Sequence, residues 1–105
     1  MSTQRKQEIK KAQKEHQLLR ELSQFLLQVS IDDKRLDGLF ISRISLSPDK
    51  SVCTAYFFTQ AGYERFREAL PFLILYKPSL RKALSSAIPG RYTPELVFKY
   101  DDLHE

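Results

Sequence analysis

The chain has 105 residues, 17 of them basic and 13 acidic, with 42% apolar and 29% charged side chains. A chain of this length buries roughly 60–70% of its unfolded surface, so it can build one core, and the composition belongs to folded rather than disordered proteins. The single Cys53 excludes an internal disulfide framework, His16 and His104 with one cysteine argue against a zinc site, and the longest apolar run (69–76) falls far short of the about 20 residues a membrane span needs.

The N-terminus carries charge and no apolar leader. A single domain over 1–105, reduced, cytoplasmic and free of cofactors, is the expectation.

Residues 4–29 read as one helix. Leu18, Leu19, Leu22, Phe25, Leu26 and Val29 recur at three- and four-residue spacing and share a face. The first half offers only Ile9 and Ala12 as apolar positions, so a basic extension over about 1–15 is expected to project or fray. Ser30 to Gly38 follows as a turn region, with Asp32, Asp33, Asp37 and Gly38 as turn formers. Leu39–Leu46 and Val52–Thr59 read as strands. The Ser47-Pro48-Asp49-Lys50 link joins them as an antiparallel hairpin, with Pro48 preset for the second turn position. On the second strand Cys53, Ala55 and Phe57 fall on one face, and Thr54, Tyr56 and Phe58 on the other.

Ala61-Gly62 ends that strand, and a helical pattern resumes at Tyr63, Phe66, Ala69, Leu70 and Leu73. Pro71 interrupts it and is expected to bend it, because it lacks an N–H and crowds the preceding turn. Pro78 interrupts again and pushes Lys77 away from helical angles, with Ser79 available to cap the next helix. That helix, about 79–88, sets Leu80, Ala83, Leu84, Ala87 and Ile88 against Arg81, Lys82, Ser85 and Ser86 on the opposite face. Pro89-Gly90 ends it. Leu96–Tyr100 closes the chain as a third strand, with Leu96, Phe98 and Tyr100 on one face. The order is α-β-β-α-α-β.

Charge is concentrated in two zones. Residues 1–20 hold Arg5, Lys6, Lys10, Lys11, Lys14 and Arg20 against Glu8 and Glu15, and residues 69–94 hold Lys77, Arg81, Lys82 and Arg91 with no acid. Two basic zones on a small domain suggest a polyanion partner, though a solvated surface reads about as well, and charge alone does not separate RNA, DNA and acidic lipid. The helix over about 79–88 is the foremost candidate. Arg81 and Lys82 can neutralise phosphate while the small Ser85 and Ser86 admit a backbone closely and donate hydroxyls. The break at Lys77-Pro78 leaves N–H groups at the helix start that suit an anion; an ordinary amphipathic helix explains the same pattern. The basic half-helix is second. It lacks the bulky apolar face of a membrane-lying helix, so nucleic acid or solvent is preferred over lipid.

Tyr56 and Phe58 could stack bases on the sheet or pack against protein. The aspartates 32, 33 and 37 have no histidine or metal-ligand partner in reach and read as turn and capping residues rather than catalysts. No phosphate-binding glycine loop is present.

These pieces, in order, resemble the ribosome-binding factor A family: Arg20-Glu21-Leu22, Ile31-Asp32-Asp33-Lys34-Arg35-Leu36, Ser47-Pro48-Asp49, Leu80-Arg81, and Thr93-Pro94-Glu95-Leu96 with Phe98, Tyr100 and Asp101. The resemblance spans about residues 8–102. It implies an α+β, type II KH-like fold, a three-stranded sheet packed on helices, with a kinked helix pair in place of a GxxG loop. It further implies a non-catalytic assembly factor that binds the free 30S subunit and assists late 16S rRNA maturation, with a cold-adaptation role and release aided by a GTPase. The family usually shows Asp-Pro-Arg where this chain has Asp33-Lys34-Arg35, and a small Ala-x-Gly kink where it has Tyr76-Lys77-Pro78. A proline can make the bend by a different route. Pro89-Gly90 replaces a basic–apolar pair and removes one cation. RNA contacts are expected from Lys77, Arg81, Lys82, Ser85 and Arg91, then Arg5, Lys6, Lys10, Lys11 and Lys14, then Lys34 and Arg35. A monomer with no membrane and no small-molecule partner is expected. The alternative is a protein-interaction module using the open sheet face around Tyr56 and Phe58.

Overall fold

The computed structural model describes residues 3–87 and 93–103, with side chains from Lys10 onward. The elements are α1 (Thr3–Asp32), a short 3-10 turn (Lys34–Leu36), β1 (Phe40–Leu46), β2 (Val52–Phe58), α2 (Tyr63–Leu75), α3 (Lys77–Ala87) and β3 (Glu95–Tyr100). Their order is the expected one. The readings of Ile88, Pro89-Gly90 and Arg91, and of the side chains of Arg5, Lys6 and Ile9, lie outside the described residues.

The sheet order is β1-β2-β3. The hairpin pairs β1 with β2 antiparallel, and β3 runs parallel to β2 on its other side. Parallel pairing needs a long crossover, which α2 and α3 supply. A bulge between Ile41 and Arg43 shifts the phase of β1. Ile41, Ile44 and Leu46 therefore all face inward with Cys53, Ala55, Phe57 and Leu96. Against this face pack Leu18, Leu22 and Leu26 of α1, Phe66, Ala69 and Leu73 of α2, and Leu80 and Leu84 of α3. Phe57 sits at the centre, its ring 5.9 Å from Phe66 and 5.2 Å from Phe98. All three helices lie on one side of the sheet.

Three local expectations need correction, on the end of the first helix, on Pro71 and on Pro78. The first helix runs on to Asp32. Ser30 donates its hydroxyl back to the Leu26 carbonyl at 2.7 Å, and the Asp33 amide reaches the Val29 carbonyl at 2.9 Å, so the serine stays within the helix rather than ending it. The basic half of α1 is helical from Thr3 and is docked from Lys14: its ammonium meets the Ala87 carbonyl at 3.2 Å, and Glu15 accepts the Leu46 amide at 2.7 Å. Pro71 leaves α2 continuous to Leu75, and the helices part only at Tyr76. Pro78 then sits in the first turn of α3, where a missing N–H costs nothing; Lys77 is helical, and Ser79 lies inside the helix rather than capping it.

Candidate nucleic-acid interface

A single residue separates α2 from α3. Tyr76 adopts φ −90° and ψ 0°, which ends α2, while its carbonyl accepts the Leu80 amide at 2.9 Å and so begins α3. What fixes the corner comes from more than forty positions earlier. The Tyr76 hydroxyl donates to Asp33 Oδ2 at 2.7 Å. Arg35 grips the same carboxylate with both arms of its guanidinium, at 2.8 and 2.7 Å, and lies 4.4 Å over the Phe72 ring. Arg65 adds bonds to the carbonyls of Arg35 and Asp37 at 2.9 and 3.0 Å. The Arg35 guanidinium first, and the Tyr76 hydroxyl second, hold the Asp33 carboxyl well below the usual carboxylate range. The same carboxylate pushes the Tyr76 phenol up. Asp33 also caps the 3-10 turn through the Arg35 amide, so the turn-and-cap reading holds and a second task is added to it.

From this corner α3 runs about 16 Å with Leu80 and Leu84 inward and Arg81, Lys82, Ser85 and Ser86 exposed. Among the described residues neither the Arg81 nor the Lys82 side chain makes a hydrogen bond or ion pair. Lys77 is half-buried, and its ammonium lies 5.5 Å from the Phe98 ring. With Ile74, Pro78 and Arg81 it lines a shallow depression at the corner. Pro78 removes one of the N–H donors that an anion at the start of α3 would use, so the cations matter more there than the helix end. The Lys14 ammonium lies at the far end of α3, against its last carbonyl, where a cation complements the helix dipole. Lys10 and Lys11 lie one turn up α1. Lys34 is exposed beside the corner, and Arg35 is half-exposed despite its pairing. Lys14 thus brings the N-terminal basic zone to the end of α3.

Sequence reasoning missed the Asp33–Tyr76 bond, because nothing local couples the two residues. It also missed a row across the outer sheet face. Arg43, Tyr56 and Lys99 are register partners on adjacent strands, with the Arg43 guanidinium 3.8 Å over the Tyr56 ring. The hairpin turn carries the signal that could have found Arg43: it fixes the register and hence which β1 residue faces Tyr56. The Cys53 thiol is buried and pushed up to about 11, by burial first and the Glu15 charge second. Among the described residues no cluster of metal-ligating side chains occurs, and no helix is long and apolar enough to cross a membrane.

The fold and its basic helix face define a KH-like α+β domain. The sequence profile of ribosome-binding factor A matches residues 10–105, and the chain belongs to that family. A ribosome-binding factor A of Citrifermentans bemidjiense is 28% identical over 93 residues, covering 89% of this chain and 78% of that one. The crystal structure of the Thermus thermophilus factor superposes with a TM-score of 0.69 at 32% identity, covering 84% of this chain and 92% of that one. A homology model of the Thermus thermophilus factor, as fitted into a cryo-electron microscopy map of a 30S complex with that factor, superposes with a TM-score of 0.61 at 30% identity, over 79% of this chain and 86% of that one.

Proposed function

We propose that this protein binds the free 30S subunit in the cytoplasm and assists late maturation of its 16S rRNA, acting by binding and not by chemistry. The observation that carries this reading is the outer face of α3. The Arg81 and Lys82 side chains stand in solvent without partners among the described residues, while neighbouring cations such as Arg35 and Arg65 are engaged in holding the corner. Such cations neutralise phosphate and set position; they do not read sequence. Lys77, Ser85, Lys14, Lys10, Lys11 and Lys34 extend the same track, and Arg5, Lys6 and Arg91 belong to its two basic segments. The family membership and the Thermus 30S complex support the choice of partner.

The test is sedimentation of the protein with cell extract through a sucrose gradient. The wild-type chain should travel with free small subunits and not with whole ribosomes. Arg81→Glu with Lys82→Glu should lose that association while circular dichroism stays unchanged. If about four to six phosphates are neutralised, the log–log salt slope of rRNA binding is roughly −3 to −5. A flat slope, or retained association in the double variant, removes α3 from the interface.

A further inference from the structure

We infer that the segment from Asp33 to Asp37 is a strap that fixes the angle between α2 and α3. Tyr76 and Arg35 are then positioning residues for phosphate binding and not themselves phosphate contacts, a role that rests on the reading of α3 as the face that meets RNA. A corner held this way favours a polyanion of fixed shape, folded RNA, over a flexible one.

The strap follows the whole length of α2. Arg65, near its start, bonds the carbonyls of Arg35 and Asp37. Phe72 carries the Arg35 guanidinium over its ring, and Tyr76, just past its end, donates to Asp33. Steps of seven and four residues put these three on one face of the helix. Both oxygens of the Asp33 carboxylate are saturated. Oδ1 accepts from the Arg35 amide at 3.0 Å and from Arg35 Nε at 2.8 Å; Oδ2 accepts from Arg35 Nη2 and from the Tyr76 hydroxyl, each at 2.7 Å. A carboxylate offers about four acceptor positions, so Asp33 has none left for a ligand, and only 9% of its side chain is accessible. Arg35 commits two nitrogens to this carboxylate even though half its side chain is exposed. Its charge is met before any phosphate arrives.

Tyr76 is the single residue between the two helices. Leu80 and Leu84 hold α3 on the core, but apolar burial is non-directional, whereas hydrogen bonds weaken steeply as they bend. Packing therefore sets the depth of α3, and the strap sets its angle. Arg81 lies five residues beyond the pivot, about 7.5 Å along the axis, so a turn of about 10° at Tyr76 moves it about 1.3 Å. Preorganised sites hold their groups within about 0.5 Å. Cations already in place bind fixed phosphates without a further ordering cost. A flexible polyanion adjusts to the cations wherever they stand and gains little from the strap.

The experiment measures the affinity of the full chain for purified 30S subunits and for heparin, a flexible polyanion, below the melting temperature of each variant. Tyr76→Phe and Arg35→Lys both preserve the net charge. Each should bind subunits about three- to tenfold more weakly, the cost of ordering one or two side chains, with heparin affinity and the log–log salt slope unchanged. In an Asp33→Ala background Tyr76→Phe should have no further effect, since the bond it removes is already gone. Spin labels on Glu68→Cys in α2 and Ser86→Cys in α3, with the buried Cys53 unlabelled, report the interhelical distance by pulsed electron paramagnetic resonance, and its distribution should broaden in Tyr76→Phe. Arg81→Glu with Lys82→Glu tests the α3 reading separately. Retained subunit association in that variant overturns the α3 reading and the role of the strap with it. Lost association there, with wild-type subunit affinity in Tyr76→Phe or in Arg35→Lys, overturns the strap alone. So does an equal loss toward heparin and subunits, a Tyr76→Phe loss that persists in the Asp33→Ala background, or a distance distribution no broader than that of the wild type.

Discussion

The hairpin turn reverses the chain and the α2–α3 corner bends it, each over a short link, and each is organised around one aspartate. In the hairpin, Asp49 Oδ1 accepts from Ser47, from the Ser51 hydroxyl and from the Ser51 amide at 2.7–3.1 Å. All its partners lie within two residues. In the corner, Asp33 accepts from Arg35 nearby and from Tyr76 far away in sequence. The first device is complete once five residues are in place. The second exists only after α1, the 3-10 turn and α2 have packed. A local turn can be specified by adjacent residues, whereas a corner that aims a binding face is specified by the fold itself.

The largest expected effect breaks the apolar floor of the corner. Leu73 is fully buried on the last turn of α2. Leu73→Ala should cost about 2–5 kcal/mol, the range for a buried leucine that leaves a cavity, against a total stability of about 5–15 kcal/mol for a domain. Urea denaturation measures it. A loss below about 1 kcal/mol would mean that the corner collapses around the gap and does not depend on dense packing.

Next come the polar parts, which differ in kind. Asp33 is held by a charged guanidinium, Asp49 by neutral hydroxyls and an amide. Both carboxyls lie below their usual value, Asp49 at about 2. A depressed folded-state value means that each contribution is complete above the unfolded carboxylate range, about 3.9, and is lost as pH falls through the folded value. Asp33→Asn should therefore lower the melting temperature at neutral pH, and its gap to wild type should close as the solution is acidified. Added salt should shrink the Asp33→Asn effect and leave Asp49→Asn untouched, because screening acts on the ion pair and not on neutral donors. Tyr76→Phe should lower the melting temperature less than Asp33→Asn, and the double variant should fall short of the sum, since one hydrogen bond is removed twice. Equal salt responses at the two aspartates would erase the distinction between the regions.

The same contrast explains what could be read without coordinates. The hairpin, the inward Cys53-Ala55-Phe57 face and the outward Arg81-Lys82-Ser85-Ser86 face follow from periods of two and of three to four, which are local properties. The helix boundaries near Ser30 and Pro78 differ from those the pattern predicts, because residues that disfavour helices in general are tolerated where their side chain or missing N–H finds a compatible place. Ser30 bonds back one turn, and Pro78 falls in a first turn. Tyr76 was the least legible residue. Against a family kink made of small residues it reads as an obstruction, yet its hydroxyl is the bolt of the corner, because the Asp33 that receives it stands at the far end of a different element. Lys77 shows the complementary limit: its charge is visible in sequence, but its turn toward Phe98 is set by β3.

The smallest expected effect sharpens the hairpin side. Lys50 has φ +60°, in the left-handed region that L-residues enter at a cost of roughly 1–2 kcal/mol. Its amide closes the turn on the Ser47 carbonyl at 2.9 Å, so the conformation is imposed by the turn and not by the lysine side chain. Asparagine enters this region several-fold more readily, and it lacks the extra unfolded-state freedom that glycine brings. Lys50→Asn should thus raise stability by about 0.5 kcal/mol, seen as a small rise in the urea midpoint at unchanged m-value. Lys50→Gly should gain less, because the relief of backbone strain is offset by the looser unfolded chain. If both variants instead destabilise the protein, the lysine contributes to the turn through its side chain, and the hairpin is less self-contained than its hydrogen bonds indicate.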